Sequence, residues 1–191
     1  MKKLLLLSLL IIIPLSFTAC GKKSNNERVD IVQIENQKEN RKNPELDKLF
    51  NIQISENEIW TYYIGADKKR YVFPNEGTYK SWFGDLKVQE MKTIEDVTDI
   101  TLGGNVTYRP GSKILQTESV SEMFFIAPGA VLREITKDMA NEIYGNDWED
   151  YIEEIENRYF TNYKIGKPIT NKEEIPYIPE EWTINEDKNL F

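Results

Sequence analysis

Hydrophobic and polar positions divide the chain into an apolar leader, a polar connector and a long segment of short periodic runs. The leader is the apolar run at residues 4–13. The connector, residues 21–43, carries no aromatic side chain, and a stretch this polar and charged buries too little apolar surface to fold alone. Beyond it, aromatic and β-branched residues recur in runs that predict strands and short helices.

Three β-hairpins are predicted where two such runs flank a turn. Pro110-Gly111 and Pro128-Gly129 are good turn signals, because proline presets one turn angle and glycine permits the left-handed one. The paired runs are 59–64 with 70–73, 105–108 with 113–116, and 123–126 with 131–135.

Helices are predicted where capping residues precede runs of helical spacing. Asn43 and Pro44 would begin one over residues 44–50, and Gly77 to Phe83 reads as another. Thr136 would cap a helix that ends at Gly145. The longest is expected from Asp147 to about residue 159, because Trp148, Ile152, Ile155 and Tyr159 fall at helical spacing.

Two segments of the chain look like copies of one unit. Tyr62-Tyr63-Ile64, Arg70-Tyr71-Val72 and Leu102-Gly103 match Phe124-Phe125-Ile126, Arg133-Glu134-Ile135 and Ile165-Gly166 at an offset of about 61–63 residues. The alternative is that any two hairpin–helix units look alike at this level. We therefore predict an α+β domain over residues 44–169 of antiparallel hairpins and short helices, with related units at about 59–111 and 122–169. The Pro- and acid-rich tail, 170–191, is predicted to be extended or disordered, with Trp182 and Ile184 as docking candidates.

The start of the chain has the layout of an export signal. Lys2-Lys3 precede the apolar run, which is shorter than the roughly 20 residues that a membrane-spanning helix needs. An ordinary cleaved signal peptide is one interpretation. Phe17-Thr18-Ala19-Cys20, however, resembles the lipobox of bacterial lipoproteins.

The lipobox resemblance implies an address and an anchor. Residues 1–19 would be a lipoprotein signal peptide, and cleavage would leave Cys20 carrying lipid on its sulfur and on its new amino terminus. More than one acyl chain is needed for stable anchoring. Residues 20–43 would be a flexible tether. The expected location is outside the cytoplasm, lipid-anchored to the cell membrane or outer membrane, with that membrane as the partner of Cys20.

Composition excludes several kinds of chemistry. The chain has no histidine and one cysteine, which rules out Ser-His-Asp and Cys-His nucleophile systems, histidine-ligated zinc and an internal disulfide. No cofactor and no metal site is predicted. The net charge of −8, which loss of Lys2 and Lys3 with the leader would make more negative, disfavours nucleic acid as a partner.

A second resemblance covers residues 60–169. The phrases at 62–76, 102–111 and 160–166 are similar to a module of uncharacterised exported bacterial proteins, which often carry it near a signal peptide or lipobox. Lys68 stands where that module usually has a turn glycine. No ligand or catalytic residues are established for the module, so none is carried over.

Aromatic and arginine side chains are the candidates for contacts with a ligand or partner. Aromatic rings stack on sugars and fill protein interfaces, although core packing competes for the same residues. Arginines hold anionic glycans or carboxylates, or pair with the protein's own acids. The candidates are Trp60, Tyr62, Arg70, Tyr71, Trp82, Tyr108, Arg109 and Arg133.

The sequence therefore favours a membrane-anchored envelope lipoprotein with a non-catalytic binding or structural role, partnered by another envelope protein. The alternative is a module that binds carbohydrate or peptidoglycan. A third hypothesis is a glycoside or cell-wall hydrolase, which would need two carboxylates facing each other across a cleft.

Overall fold

The computed structural model describes residues 46–188 and residue 190, which form two five-stranded sheets with short helices. The predicted α+β class is confirmed, while the leader, Cys20 and residues 20–43 lie outside the described residues. The strands are β1 (Leu49–Ser55), β2 (Glu58–Ile64), β3 (Arg70–Val72), β4 (Met91–Lys92), β5 (Leu102–Asn105), β6 (Ile114–Thr117), β7 (Val120–Ala127), β8 (Val131–Ile135), β9 (Ile152–Ile155) and β10 (Lys164–Ile165). The helices are α1 (Glu76–Phe83), α2 (Lys137–Tyr144), α3 (Asn157–Phe160) and α4 (Ile184–Lys188), with 3-10 turns at Leu46–Lys48, Glu95–Val97, Trp148–Tyr151 and Lys172–Glu174.

The two sheets have the same topology. Their strand orders are β4-β1-β2-β3-β5 and β9-β6-β7-β8-β10. In each sheet, three antiparallel strands are flanked by two edge strands that run parallel to their neighbours. We call residues 49–105 the first copy and residues 114–165 the second copy. The repeat therefore includes β1 and β6, which lie before the starts predicted for the two units.

Turns and caps recur at matching places in the two copies. The β2–β3 and β7–β8 turns each place a non-glycine residue in the left-handed region, Lys68 at φ 63° and Ala130 at φ 57°. α1 begins where the Asn75 side chain accepts the amide hydrogen of Thr78, and α2 where Thr136 does the same for Met139. These two hairpins and two helices confirm the corresponding sequence predictions.

Each sheet is buried on both faces. In the first copy, α1 covers one face and the connection around Val97 covers the other. In the second copy, α2 covers one face and α3 with Tyr163 the other. The innermost side chains, all less than 2% exposed, include Tyr63, Phe50, Ile52, Phe125, Ile114, Leu115, Ile126 and Leu132.

Two glycines allow the edge strands to approach their neighbours. A Cβ atom at Gly103 would lie 2.4 Å from the Tyr71 ring, and one at Gly166 would lie 2.7 Å from Val131 and 3.2 Å from Arg133. Tyr71 pairs with Tyr63 in the first sheet, and Arg133 pairs with Phe125 at the matching position of the second. Gly103 lies against Tyr71 and Gly166 lies against Arg133, so the two glycines occupy equivalent places. The glycine predicted at the end of each unit therefore has a steric cause.

The long helix predicted from Asp147 is wrong. Residues 148–151 form a 3-10 turn, β9 follows, and α3 is a separate short helix. β9 pairs with β6 along its whole length, Ile114 to Ile152 through Thr117 to Ile155. Pairing with a neighbouring strand outweighs the local spacing, which fits a helix equally well.

Two further sequence predictions differ from the structure. Within the range 44–50, residues 46–48 form a 3-10 turn and the chain then enters β1, so the predicted helix is absent from the described part of it. The runs 105–108 and 113–116 do not pair with each other. β5 instead pairs with β3, and β6 pairs with β7, because residues 106–113 are the linker between the copies.

The tail is not extended or disordered throughout, because it forms the 3-10 turn Lys172–Glu174 and α4, and it docks against both copies. Ile184 is fully buried in the first copy's core with Leu49 and Tyr63. Ile169 and Ile178 are buried in the core of the second. Within residues 46–188 and 190, no helix has both the length and the apolar character needed to cross a membrane.

Candidate functional site

Four of the predicted contact residues are buried. Tyr62 stacks on Phe50 at 5.5 Å between ring centroids, and Tyr71 donates its hydroxyl hydrogen to Asp67 at 2.7 Å. Burial and this carboxylate raise the pKa of Tyr71 to about 12. Tyr62, Tyr71, Tyr108 and Arg109 are each at most 5% exposed, so their side chains are occupied inside the protein.

Tyr108 and Arg109 hold the linker between the copies. The Tyr108 hydroxyl lies 3.1 Å from Glu153 of the second copy and 3.3 Å from Asn75 of the first. Burial first, and then the Glu153 charge, raise the pKa of Tyr108 well above its ordinary value. Arg109 donates to the Glu180 carbonyl at 2.6 Å, which ties the linker to the tail.

Trp82 belongs to the same junction. Its indole N–H donates to the linker carbonyl of Thr107 at 2.7 Å, and the side chain is half-buried against the first copy's core. Tyr108, Arg109 and Trp82 are therefore all engaged at the linker. Together they form a structural joint between the copies, in which their polar atoms bond to other parts of the chain.

Arg70 and Arg133 do not occupy equivalent positions. Arg70 pairs across the sheet with Ile64, whereas Arg133 pairs with Phe125, the counterpart of Tyr63. Adjacent strand positions point to opposite faces, so the two arginines lie on different sides of their sheets. Arg70 sits 5.9 Å from the Tyr62 ring and donates to the Val97 carbonyl.

Arg133 clamps the tail. Its guanidinium donates to the backbone carbonyls of Lys167 at 2.8 Å, Glu174 at 2.6 Å and Pro168 at 3.2 Å. The Glu174 carboxylate lies 3.9 Å away, and the Thr170 amide together with Arg133 lowers the pKa of Glu174. Glu174 is one of the protein's own acids, as one of the two expectations for the arginines had it, but the closest partners of Arg133 are carbonyl groups.

Trp60 differs from the other candidates because 42% of it is exposed. It pairs across the sheet with Ile52, and its indole N–H donates to Glu58 at 2.7 Å. Trp60 lies on the β1–β2 hairpin, beyond the last β2 residue that pairs with β3. It is the one predicted aromatic contact residue with a large exposed surface.

The hairpin around Trp60 projects from the first sheet as an arm, which we define as residues 53–60. β4 pairs only with Asn51 and Ile52, and β3 pairs only with β2 residues 62–64. Among the described residues, therefore, no strand flanks the arm on either side. Its apolar side chains are Ile54, Ile59 and Trp60, exposed at 42%, 57% and 42%.

Sequence reasoning missed Ile54 and Ile59. A signal was available at residues 59 and 60, because two adjacent apolar residues of a strand face opposite sides and one of them must lie away from any single core. The matching hairpin of the second copy turns at Thr117 and Val120, with polar Glu118 and Ser119 between them. The projecting apolar arm is thus specific to the first copy.

Comparison of this chain with protein-family models, curated proteins and solved structures finds no match. In the described part of the chain, no group of three or more Cys, Asp or Glu residues is placed to hold a metal ion. The predicted arginines and tyrosines contribute to the joint, the sheets and the tail clamp. The arm is the described surface whose chemistry is best suited to a contact with another molecule.

Proposed function

We propose that this chain is a non-catalytic protein of the bacterial cell envelope, anchored through lipid on Cys20, which binds another envelope component or supports one structurally. The observation that carries the anchor is the order of features at the start of the sequence. Lys2-Lys3, an apolar run and Ala19-Cys20 follow one another as in a lipoprotein signal.

A binding or structural role is supported by how the side chains are used. Arg70, Arg109 and Arg133 donate to backbone carbonyls of their own chain, and Tyr108 bridges the two copies. Three of the nine large apolar side chains that are exposed among the described residues lie close together in sequence on the arm, and apolar patches rimmed by polar residues are typical of contact sites.

The distance from the anchor to the domain suits such a role. Residues 20–43 would extend to at most about 80 Å at about 3.5 Å per residue. A domain on a connector of this length reaches partners some distance from the membrane surface. The carbohydrate hypothesis has weaker support, because Tyr62, Tyr71 and Tyr108 are buried and Trp60 has no exposed aromatic neighbour among the predicted residues.

The anchor is tested by separating membranes from soluble fractions in a bacterial host that lipidates exported proteins. The wild-type chain should remain with membranes after a high-salt wash and should incorporate labelled palmitate. Cys20→Ser should lose the label, while Gly21→Ala, which leaves the cysteine in place, should keep it. Equal palmitate labelling of the wild type and Cys20→Ser would contradict the proposal.

The choice of partner is tested by sedimentation with purified peptidoglycan. The proposal predicts that the wild-type protein does not sediment with peptidoglycan and stays in the supernatant. The protein concentration in this test is one that suffices for binding to its protein partner. Co-sedimentation that Trp60→Ser abolishes would favour the carbohydrate-binding alternative instead.

A further inference from the structure

The two copies differ in how their first hairpin is covered. In the second copy, β9 lies beside β6 from Ile114 up to the turn at Thr117. In the first copy, the equivalent strand β4 stops after Lys92. The chain then turns away at Thr93, whose amide and hydroxyl bond the Asp96 carboxylate at 2.8 and 3.0 Å.

The first copy's hairpin therefore continues past the end of its flanking strand, whereas the second copy's hairpin turns where β9 ends. The outer side of Gln53, Ile54 and Ser55 has no strand partner within residues 46–188, and backbone N–H and C=O groups on such an edge are a template for strand addition. A strand that continued in line with β4 beyond Lys92 would lie beside these residues, so an extended segment fits this place geometrically.

The side chains around this edge indicate the chemistry of the missing segment. Ile54 of β1 and Met91 of β4 are 42% and 52% exposed. Glu56 and Glu58 stand at the end of the arm, and residues 53–60 contain no basic side chain. An extended segment in which apolar residues alternate with lysine or arginine would meet both features.

We propose that the outer edge of β1 in the arm is a docking site for an extended apolar and basic segment of a partner protein, which adds as a strand beside β1. This inference rests on the proposed function and names its partner class. A second copy of the chain is a poorer occupant, because its own Glu56 and Glu58 would repel. An anionic membrane surface is poorer for the same reason.

The test uses the full-length protein as purified from cells and a fluorescein-labelled ten-residue peptide in which valine alternates with lysine. Fluorescence anisotropy should show binding of this peptide and much weaker binding of the valine–glutamate counterpart. Ile54→Ser should weaken binding by about tenfold, as loss of one buried isoleucine contact implies. Ile165→Ser, at an exposed residue of the second copy, should leave it within twofold.

A charge reversal tests the basic preference. Glu56→Lys should weaken binding of the lysine peptide by up to about fivefold, the size expected for an exposed ion pair. Glu118→Lys makes the same change in net charge at the matching hairpin of the second copy and should have no effect. Circular dichroism spectra that match the wild type establish that each variant is folded.

Several results would overturn the inference. One is the absence of binding of either peptide. Others are an equal loss in Glu118→Lys and Glu56→Lys, or an equal loss in Ile165→Ser and Ile54→Ser. The inference would also fail if Ile54→Ser changed binding to phosphatidylglycerol vesicles, or a concentration-dependent dimer in sedimentation, without changing peptide binding. The amino-terminal mass of the same sample reports the anchor separately, so failure of the anchor and failure of the docking site are distinguishable.

Discussion

Asp187 is a carboxylate held almost entirely out of water where the tail meets both copies. Its Oδ1 accepts hydrogens from the Gly129 amide at 2.8 Å and the Trp182 indole at 3.4 Å, and its Oδ2 accepts from the Thr107 hydroxyl at 3.3 Å. Loss of hydration raises the pKa of this carboxyl, although the hydrogen bonds offset part of the rise. Two residues earlier, Asn185 donates to the Tyr63 hydroxyl at 2.6 Å and accepts from the Ala66 amide at 2.8 Å.

Asp187→Asn should be as stable as the wild type or more stable at neutral pH. The amide oxygen can accept from Gly129 and Trp182, and the amide nitrogen can donate to Thr107, so the hydrogen bonds survive while the buried charge is removed. Asp187→Ala leaves the same donors without an acceptor and should lose about 1–3 kcal/mol of unfolding free energy. Urea unfolding of the three proteins measures both effects.

The difference in unfolding free energy between Asp187→Asn and the wild type should depend on pH. Because the pKa of Asp187 is raised in the fold above its ordinary 3.8, the stability contributed by its protonated form is complete below that value and is lost as pH rises through the folded pKa. Asparagine does not titrate. The stability advantage of Asp187→Asn over the wild type should therefore grow as pH rises above 3.8 and then level off, and a pH-independent difference would contradict this account.

At the scale of elements, β9 shows why one prediction failed. Residues 148–159 have apolar positions at helical spacing and acids between them, yet β9 is a strand. Its register on β6 places Ile155 in the core beside Leu115 and leaves Glu153 near Tyr108. The sequence of this segment does not indicate that β6 lies alongside it as a parallel strand. Helix and strand are therefore indistinguishable from this segment alone.

Ile155→Ala tests the burial that this register gives to Ile155. Ile155 is 3% exposed, so its truncation should cost about 2–4 kcal/mol of unfolding free energy. Ile165→Ala removes the same atoms from a side chain that is 62% exposed and should change stability by less than about 0.5 kcal/mol. Chemical denaturation compares the two variants, and equal losses would place Ile155 outside the core.

Gly77 in α1 makes a second test at this scale. Alanine is the better helix former by about 1 kcal/mol, but a Cβ atom at Gly77 would lie 2.3 Å from the Tyr108 hydroxyl of the linker. Gly77→Ala should therefore destabilise the protein. In the Tyr108→Phe background, where that hydroxyl is absent, the same change should cost less, by about 1 kcal/mol or more in a double-mutant cycle. Additive effects would show that the linker does not pack against α1.

At the scale of the whole molecule, the repeat was predictable and the joint was not. Turn residues, helix caps and the glycines Gly103 and Gly166 recur because each copy has the same backbone requirements, and a sequence records those requirements locally. The linker and tail instead gain their roles by reaching across the fold. Nothing near Tyr108 or Arg109 distinguishes residues that join two copies from residues that bind a ligand.

The candidate site was predictable only in part for the same reason. Trp60 was identified by its residue type, whereas the arm depends on the β1–β2 hairpin continuing past the ends of β4 and β3, where Ile54 and Ile59 are exposed. The length of an edge strand is set by where the chain turns away, for β4 at Thr93 and Asp96. The level of that turn along β1 is visible only in the fold.

The mass of the mature amino-terminal peptide, from protein purified from bacterial membranes, tests the lipid anchor. A lipid-anchored protein should give a peptide that begins at Cys20 and carries a diacylglycerol on its sulfur, with or without a further acyl group on its amino terminus. An uncleaved leader with Cys20 unmodified, or cleavage that leaves a bare thiol, would contradict the envelope-anchored role on which the proposed function depends.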